Sequence, residues 1–505
     1  RLAQTVSRQA CLSRLLFGVA SMSLRVTFRL TFWLACVVAA SGHFPLPSEA
    51  LLTCDTAVVG GGWAGVYAAW RLAVDSAAVR PGELCLFEAR SGVGGRTYSV
   101  HLDVSEGEPL VVDVGAYRFS KQQHLPADLI LHLNLSSQCY KPDCATEDNM
   151  TLYRIVDDDG DSRGYDTAMR VMVEQLEAAG ARLFFNHELT AILRPAGAAS
   201  TCLGEASPMH LSFRNGAQVQ ARSVLLNIPR NEIKRLREDS LIFDSPLSAR
   251  LLRNCTSIPL MAFKVYVVYE DPWWLTKLNI SEGYFSSPDR EPRFYGRYHD
   301  GAIRRLPGGR VGAGALEVLY NYTTDGTYDW YLKYRQNKSD PLTISQDPDL
   351  LSKVHARLME FHAESFAAKH VNASAISPPM KVVMGLWGNV GFLTNPMPAN
   401  VDAQFRSYPK EACLGSISPD QYIAAVSSPT DDLPCRHRVF VANDDYFWAT
   451  YSGSGCCWAE NSLKPAEKLL HDRFALAKPT WLDAGYYASD VLRYGHTPEP
   501  SLEWV

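Results

Sequence analysis

The stretch that decides the fold runs Asp55-Thr56-Ala57-Val58-Val59-Gly60-Gly61-Gly62-Trp63-Ala64-Gly65, continues through Val66, Ala69, Leu72 and Ala73, and closes on Leu84-Cys85-Leu86-Phe87-Glu88. It reads as a buried strand, a glycine turn, a helix with an apolar face, and a second buried strand. Gly60, Gly62 and Gly65 form a G-x-G-x-x-G turn between strand and helix. There the first glycine permits the tight turn, the second lets backbone amides approach a diphosphate, and the third lets the helix pack closely on the strand. The helix N-terminus faces the phosphates with its free amides. Glu88 stands 23 residues after Gly65, where a carboxylate accepts hydrogen bonds from the ribose hydroxyls of an adenosine. A glycine triplet alone is usually a loop; here both strands, the helix and the carboxylate are in register with it.

Further glycine turns follow. Glu88-Ala89-Arg90-Ser91-Gly92-Val93-Gly94-Gly95-Arg96-Thr97 adds a Gly-Gly-Arg turn, and Val111-Val112-Asp113-Val114-Gly115-Ala116 adds another strand and turn. This run closely resembles the FAD-binding start of the flavin monoamine oxidase family, which includes L-amino-acid-oxidase-like members. The resemblance implies that Gly60, Gly62, Trp63, Ala64, Gly65, Glu88, Ala89 and Arg90 meet the cofactor. It also implies that Gly94, Gly95 and Arg96 lie along its pyrophosphate, and Gly115 and Ala116 near the isoalloxazine. The run from Ala181 to Leu189 looks like the family's strand that brings a backbone amide, here that of Leu189, to the adenine. His187 within it reads as a surface or packing residue.

Lys264 is a lone charge in the apolar strand candidate 261–269. Taken alone, such a lysine is more often a snorkelling edge residue. Its flanks, Ile258-Pro259-Leu260 and Glu270-Asp271-Pro272-Trp273-Trp274, resemble the family segment whose lysine is bound through water to flavin N5, which makes Lys264 the catalytic candidate. Near the end, Arg438-Val439-Phe440-Val441-Ala442 and the helix candidate from Trp458, Ala459 and Glu460 to Leu470 resemble the family's last strand and its final helix, whose N-terminus points at the flavin. The sequence departs from the family at Asn443-Asp444, where Gly-Glu is usual, and at Glu460-Asn461, where Glu-Gly is usual. Asp444 remains a candidate for a ribityl or phosphate-linked hydroxyl. On the substrate side, Trp387 and Arg297 are the candidates, Arg297 as the partner of a substrate carboxylate. No cysteine occupies the place of a covalent flavin link, so noncovalent FAD is expected, and no metal.

The expected fold class is therefore α/β, a Rossmann-like FAD-binding domain of the GR2 type with an interleaved α+β substrate domain. The expected organisation is a leader at 1–42, FAD-binding parts at 53–125, 164–262 and 436–482, substrate-domain parts at 126–163 and 263–435, and a tail at 483–505. The expected chemistry is oxidation of the C–N bond of a primary amine, a polyamine or an L-amino acid, with O2 reduced to H2O2. An oxidase of a non-amine substrate, desaturase-like or thioether-cleaving, and a non-catalytic secreted glycoprotein on the same fold remain as alternatives.

Composition limits the rest. With 505 residues, 47% apolar and 20% charged, the chain is ordinary globular material, and a net charge of −5 without a basic stripe excludes nucleic acid as a partner. Residues 1–48 hold no acid but five arginines, and the apolar run Leu30 to Ala40 has the layout of a secretory signal. That run is too short to span a membrane comfortably, so no stable span is expected. An organellar transit peptide is the alternative. Asn-x-Ser/Thr begins at Asn134, Asn149, Asn254, Asn279, Asn321, Asn337 and Asn372, seven of sixteen asparagines, where chance gives about two. The set favours the secretory route, secreted or lumenal. In that compartment Cys139 with Cys144 and Cys413 with Cys435 are candidate disulfides, buried thiols being the other reading.

Overall fold

Ala57-Val58-Val59 suits a strand covered on both faces, and β1 (Leu52–Val59) takes that position in a mostly parallel sheet. The structure is a computed structural model that describes residues 51–139, 151–194, 208–253, 262–321, 329–337, 340–387, 417–443, 446 and 458–494. From β1 the chain turns into α1 (Trp63–Trp70), every residue of which is buried. It returns through β2 (Leu84–Phe87), parallel to β1. The hairpin β3 (Ser99–Leu102) and β4 (Leu110–Asp113) follows, then a small sheet of β5 (Phe119–Ser120), β6 (Ser137–Cys139) and β7 (Leu152–Ile155), with α2 (His124–His132) between β5 and β6.

The chain then comes back to the first sheet through α3 (Thr167–Ala179), closed by Gly180. Next are β8 (Arg182–Phe184), β9 (Leu189–Leu193), β10 (Met209–Phe213) and β11 (Gln218–Leu226). The single strand expected over 181–189 is two. Asn186 adopts a left-handed φ of 58°, a conformation that asparagine tolerates well. The corner is held by Asn186 N–H on Arg90 O and His187 N–H on Glu88 O. As a result β8 runs parallel to β2, whereas β9 pairs antiparallel with β10.

A second sheet follows, antiparallel in the order β13-β14-β15-β12-β17-β16. Its strands are β12 (Phe263–Tyr269), β13 (Tyr284–Ser287), β14 (Phe294–Leu306), β15 (Arg310–Asn321), β16 (Leu342–Ser345) and β17 (Lys381–Leu386), with α4 (Pro348–Phe361) after β16. Finally β18 (Arg438–Val441) rejoins the first sheet, parallel to the last half of β11, and α5 (Ala459–Phe474) packs on α1. The first sheet thus has seven strands among the described residues. The leader at 1–42 and Asp444 lie outside the described residues. Among those described, no helix is long and apolar enough to cross a membrane.

The disulfide found is Cys54–Cys85, joining β1 to β2, a pairing the spacing of cysteines did not suggest. Cys139 and Cys435 are disulfide-bonded too; their expected partners, Cys144 and Cys413, lie outside the described residues, as does Cys456-Cys457.

Segments nearly 400 residues apart are joined by a buried ion pair, because Arg71 at the end of α1 and Glu467 in α5 are both almost without solvent contact. The guanidinium donates to Glu467 through Nε at 3.0 Å and Nη2 at 2.9 Å, and the Tyr67 hydroxyl donates to the same carboxylate at 2.7 Å. Arg71 also pairs with Asp75 and donates to Ala477 O at 2.8 Å, so loss of Glu467 removes part of its compensation and leaves Tyr67 without its acceptor, at a cost of about 1–3 kcal/mol. Glu467→Leu is therefore expected to lower stability by about that amount in urea denaturation, and Arg71→Met in the same chain to restore part of it, the remainder being the loss of the cation beside Asp75. A double variant no better than the single one would contradict this account.

Candidate functional site

The diphosphate turn is built by close backbone approach. A Cβ on Gly65 would lie 1.8 Å from Gly60 O, so α1 can sit this near the turn only without a side chain there. Gly62 caps α1 with no side-chain bond, and the first intrahelical backbone bond is Val66 N–H to Gly62 O, which leaves the amides of Trp63, Ala64 and Gly65 without a side-chain acceptor among the described residues. Glu88 is buried and accepts Gly61 N–H at 2.6 Å and Arg90 N–H at 2.8 Å. Each carboxylate oxygen has further lone pairs for a ribose hydroxyl. At the end of β11, Asn227 is buried against Gly65, and neither polar atom of its side chain has a partner among the described residues. Uncapped amides, an acidic group at the end of β2 and an unpartnered buried amide fit a dinucleotide.

The Gly-Gly-Arg turn lies over this loop. Gly94 N–H donates to Gly61 O at 2.8 Å, and the Arg90 guanidinium donates to Gly95 O. Arg96 and Ala89 are exposed. Trp63 donates its indole N–H to Thr97 Oγ1 at 3.1 Å, and its ring packs on Tyr165. Leu189 opens β9, two residues beyond the amide bound to Glu88 O.

A second cluster forms on the Asp113-Val114-Gly115 turn. Ala116 N–H donates to Arg96 O at 3.0 Å, and a Cβ on Gly115 would lie 2.1 Å from that same oxygen. The turn is thereby pressed onto the Gly-Gly-Arg segment. From β12, Lys264 Nζ donates to Gly115 O at 2.7 Å and to Asp113 O at 3.2 Å, and lies 3.1 Å from the centre of the Tyr117 ring. Three N–H donors thus meet two carbonyls and one π face. From β17, Trp387 donates its indole N–H to Val114 O at 2.7 Å.

Charges crowd this turn. Burial pulls the Lys264 ammonium down to about 7, against the upward pull of Glu317 and Asp113. Asp113 is raised by burial to about 6, although Ser99 Oγ at 2.5 Å and Tyr165 N–H at 3.1 Å donate to it. Arg297 pairs with Asp300 at 3.0 Å, and Asp300 also accepts from Tyr117 at 2.8 Å and sits beside His299 and Arg118. A cavity lined by Asp113, Tyr117, Tyr266 and Asp300 has room for about one water molecule.

The structure therefore brings Lys264, Gly115, Ala116, Trp387 and Arg297 together and joins them through Arg96 to the glycine turn. It treats the C-terminal candidates differently. Trp458 and Ala459 start α5, but the Glu460 carboxylate accepts Leu125 N–H of α2 at 3.0 Å and meets the Tyr486 hydroxyl. Asn443 ties the end of β18 to β11 by donating to Ile228 O at 2.7 Å. Sequence reading passed over Glu317 and Tyr266. The signal was there, since Glu317 is a lone acid in an apolar strand like the lone base Lys264, and Tyr266 shares the Lys264 face at i+2.

Residues 58–128 match the family of NAD(P)-binding Rossmann-like domains. No curated protein matches the chain. Among solved structures, putrescine oxidase bound to putrescine is similar over 84% of this chain and 100% of its own, at 14% identity and a TM-score of 0.48. A variant of that enzyme is similar over 84% and 99%, at 13% identity and a TM-score of 0.49. Likeness of that degree defines neither substrate nor cofactor.

The close approach at Gly65 is testable. Gly65→Ala forces the turn apart and is expected to cost about 1–3 kcal/mol or more by overpacking, whereas Gly82→Ala, with nothing within 4 Å, stays within about 0.5 kcal/mol of wild type. Equal denaturation midpoints for the two would contradict the packing described.

Proposed function

We propose that this chain is an FAD-dependent oxidase of the C–N bond of an amine, giving an imine and H2O2, with FAD held noncovalently. Bound there, FAD supplies the two-electron acceptor and passes the electrons to O2. In this reading the α1 amides, Asn227, Gly94, Gly95 and Arg96 hold the diphosphate, Glu88 the ribose, and Leu189 the adenine, with Trp458 and Ala459 at the far end. The single observation that carries it is the delivery of a buried lysine from the second sheet to the Gly115 turn, itself seated on the Gly-Gly-Arg segment. Burial lowers Lys264 to about 7, so in its protonated form below that pH it is a cation in a site of low polarity, which stabilises negative charge developing beside it far more than it would in water.

Lys264 Nζ is held in place by three contacts and needs no reorganisation as charge develops. Trp387, anchored on Val114 O, supplies a wall and excludes water. Arg297 is committed to Asp300, which leaves it poorly suited to a substrate carboxylate and favours a simple amine or polyamine over an L-amino acid.

We also propose the secretory route for this chain. Asn134, Asn279, Asn337 and Asn372 are exposed and Asn321 is half-buried, as acceptors for glycans require. Protein from a secretory host is expected to lose mass on endoglycosidase treatment; an unchanged mass would refute the route.

The same preparation is expected to be yellow and to bleach when titrated anaerobically with amines. Lys264→Met is expected to retain flavin and lose about 10²-fold in amine turnover. Colourless folded protein that refuses added FAD, or a variant that turns over at the wild-type rate, would sink the assignment.

A further inference from the structure

Tyr266 and Glu317 stand directly opposite each other on β12 and β15, with Arg297 opposite Glu317 on β14. The Tyr266 hydroxyl lies 3.0 Å from Asp113 O and 2.9 Å from one Glu317 oxygen. Both distances are those of hydrogen bonds, yet a phenol carries one proton. A carbonyl oxygen can only accept, so a full hydrogen bond to Asp113 O takes the tyrosine proton. The contact with Glu317 is then a hydrogen bond only if the carboxyl group brings the proton.

We infer that Glu317 is carried in the folded protein as a neutral carboxylic acid, which donates to Tyr266 Oη, directs the tyrosine proton onto Asp113 O, and so positions the turn that Lys264 grips. Two further observations agree. Glu317 is without solvent contact, and its other oxygen has no partner among the described residues, an arrangement costly for a carboxylate and far cheaper for the C=O of an acid. Burial and the neighbouring Asp300 push the group up to about 8, against Lys264, Arg297 and a hydrogen bond from Tyr266, which favour its ionised form.

The groups facing Glu317 are Lys264 and Tyr266 from β12, Arg297 and Asp300 from β14, and Asp113 from β4, with Tyr117 and Arg118 just beyond it. Loss of the Glu317 proton would turn the Tyr266 hydrogen toward the new carboxylate and remove a donor from Asp113 O, loosening the turn that Lys264 grips. Glu317 is thus a positioning residue acting through Tyr266, and alkaline pH undoes its effect. Its role at Lys264 rests on the oxidase reading, but its protonation does not.

The sign is definite. A carboxyl whose folded pKa lies above its ordinary value near 4.3 contributes stability that is full below that value and is lost as pH rises to about 8, with no further change beyond. Asp113 and Lys264 titrate in the same range, so the comparison is with Glu317→Gln, whose amide donates to Tyr266 at every pH. Relative to that variant, the folding constant of the wild-type chain in urea denaturation is expected to fall by up to about tenfold per pH unit between 5 and 8. The infrared spectrum at neutral pH is expected to hold a carboxylic-acid C=O band that Glu317→Gln lacks and that shifts in Tyr266→Phe. Parallel pH dependences, or no such band, would overturn the inference. Should Glu317→Gln fail to fold, the wild-type band and its shift in Tyr266→Phe decide alone. None of these readouts requires bound flavin or turnover, so a failed oxidase assignment leaves them intact.

Discussion

Three consecutive carbonyls on the Asp113-Val114-Gly115 turn hold the molecule's chemistry in place. All three residues are buried, and buried carbonyls must find donors. Here the donors come from the second sheet, through Lys264 and Tyr266 of β12 and Trp387 at the end of β17. Gly385 completes the fit, since a Cβ there would lie 2.4 Å from Val114 O. The register of β12 and β17 against the dinucleotide-binding unit is thus set by hydrogen bonds that a one-residue slip would break, because side chains alternate faces.

That constraint makes the two halves of the site a single object. The Gly115 turn presses on Arg96, Arg96 belongs to the segment over the glycine loop, and the loop is closed by the approach of Gly65 to Gly60. A displacement at the lysine is therefore felt at the diphosphate turn through backbone contacts with no slack. The far side of α1 is held in another way, by the Arg71–Glu467 pair, so the helix that follows the glycine turn is tied to both ends of the chain.

Several of these features were legible in the sequence. The glycine turn was, because G-x-G-x-x-G, its strands and Glu88 express a local backbone requirement. Lys264 was singled out by the resemblance of its flanks to the family segment, since the lone charge by itself reads as a snorkelling edge residue. Glu317 is likewise a lone acid, but its meaning depends on Tyr266 lying opposite across a strand pair, and strand pairing joins residues far apart in sequence. The break at Asn186 was hidden within a run that reads as continuous strand. The pairing of Cys54 with Cys85 follows from β1 and β2 being neighbours, which cysteine spacing does not reveal.

Arg297 marks the boundary between the two kinds of knowledge. As a residue type it suits a carboxylate, and the sequence offered no rival claim on it; Asp300, three positions away, takes it. By itself the amino-acid sequence determined the dinucleotide-binding turn and the α/β fold class, since these rest on steric and hydrophobic rules acting over short stretches of chain. Only the tertiary structure decided which charges face each other around the Gly115 turn and where the protons must lie. The energy of a buried charge depends on what surrounds it in space, and those neighbours are brought from five different strands and loops.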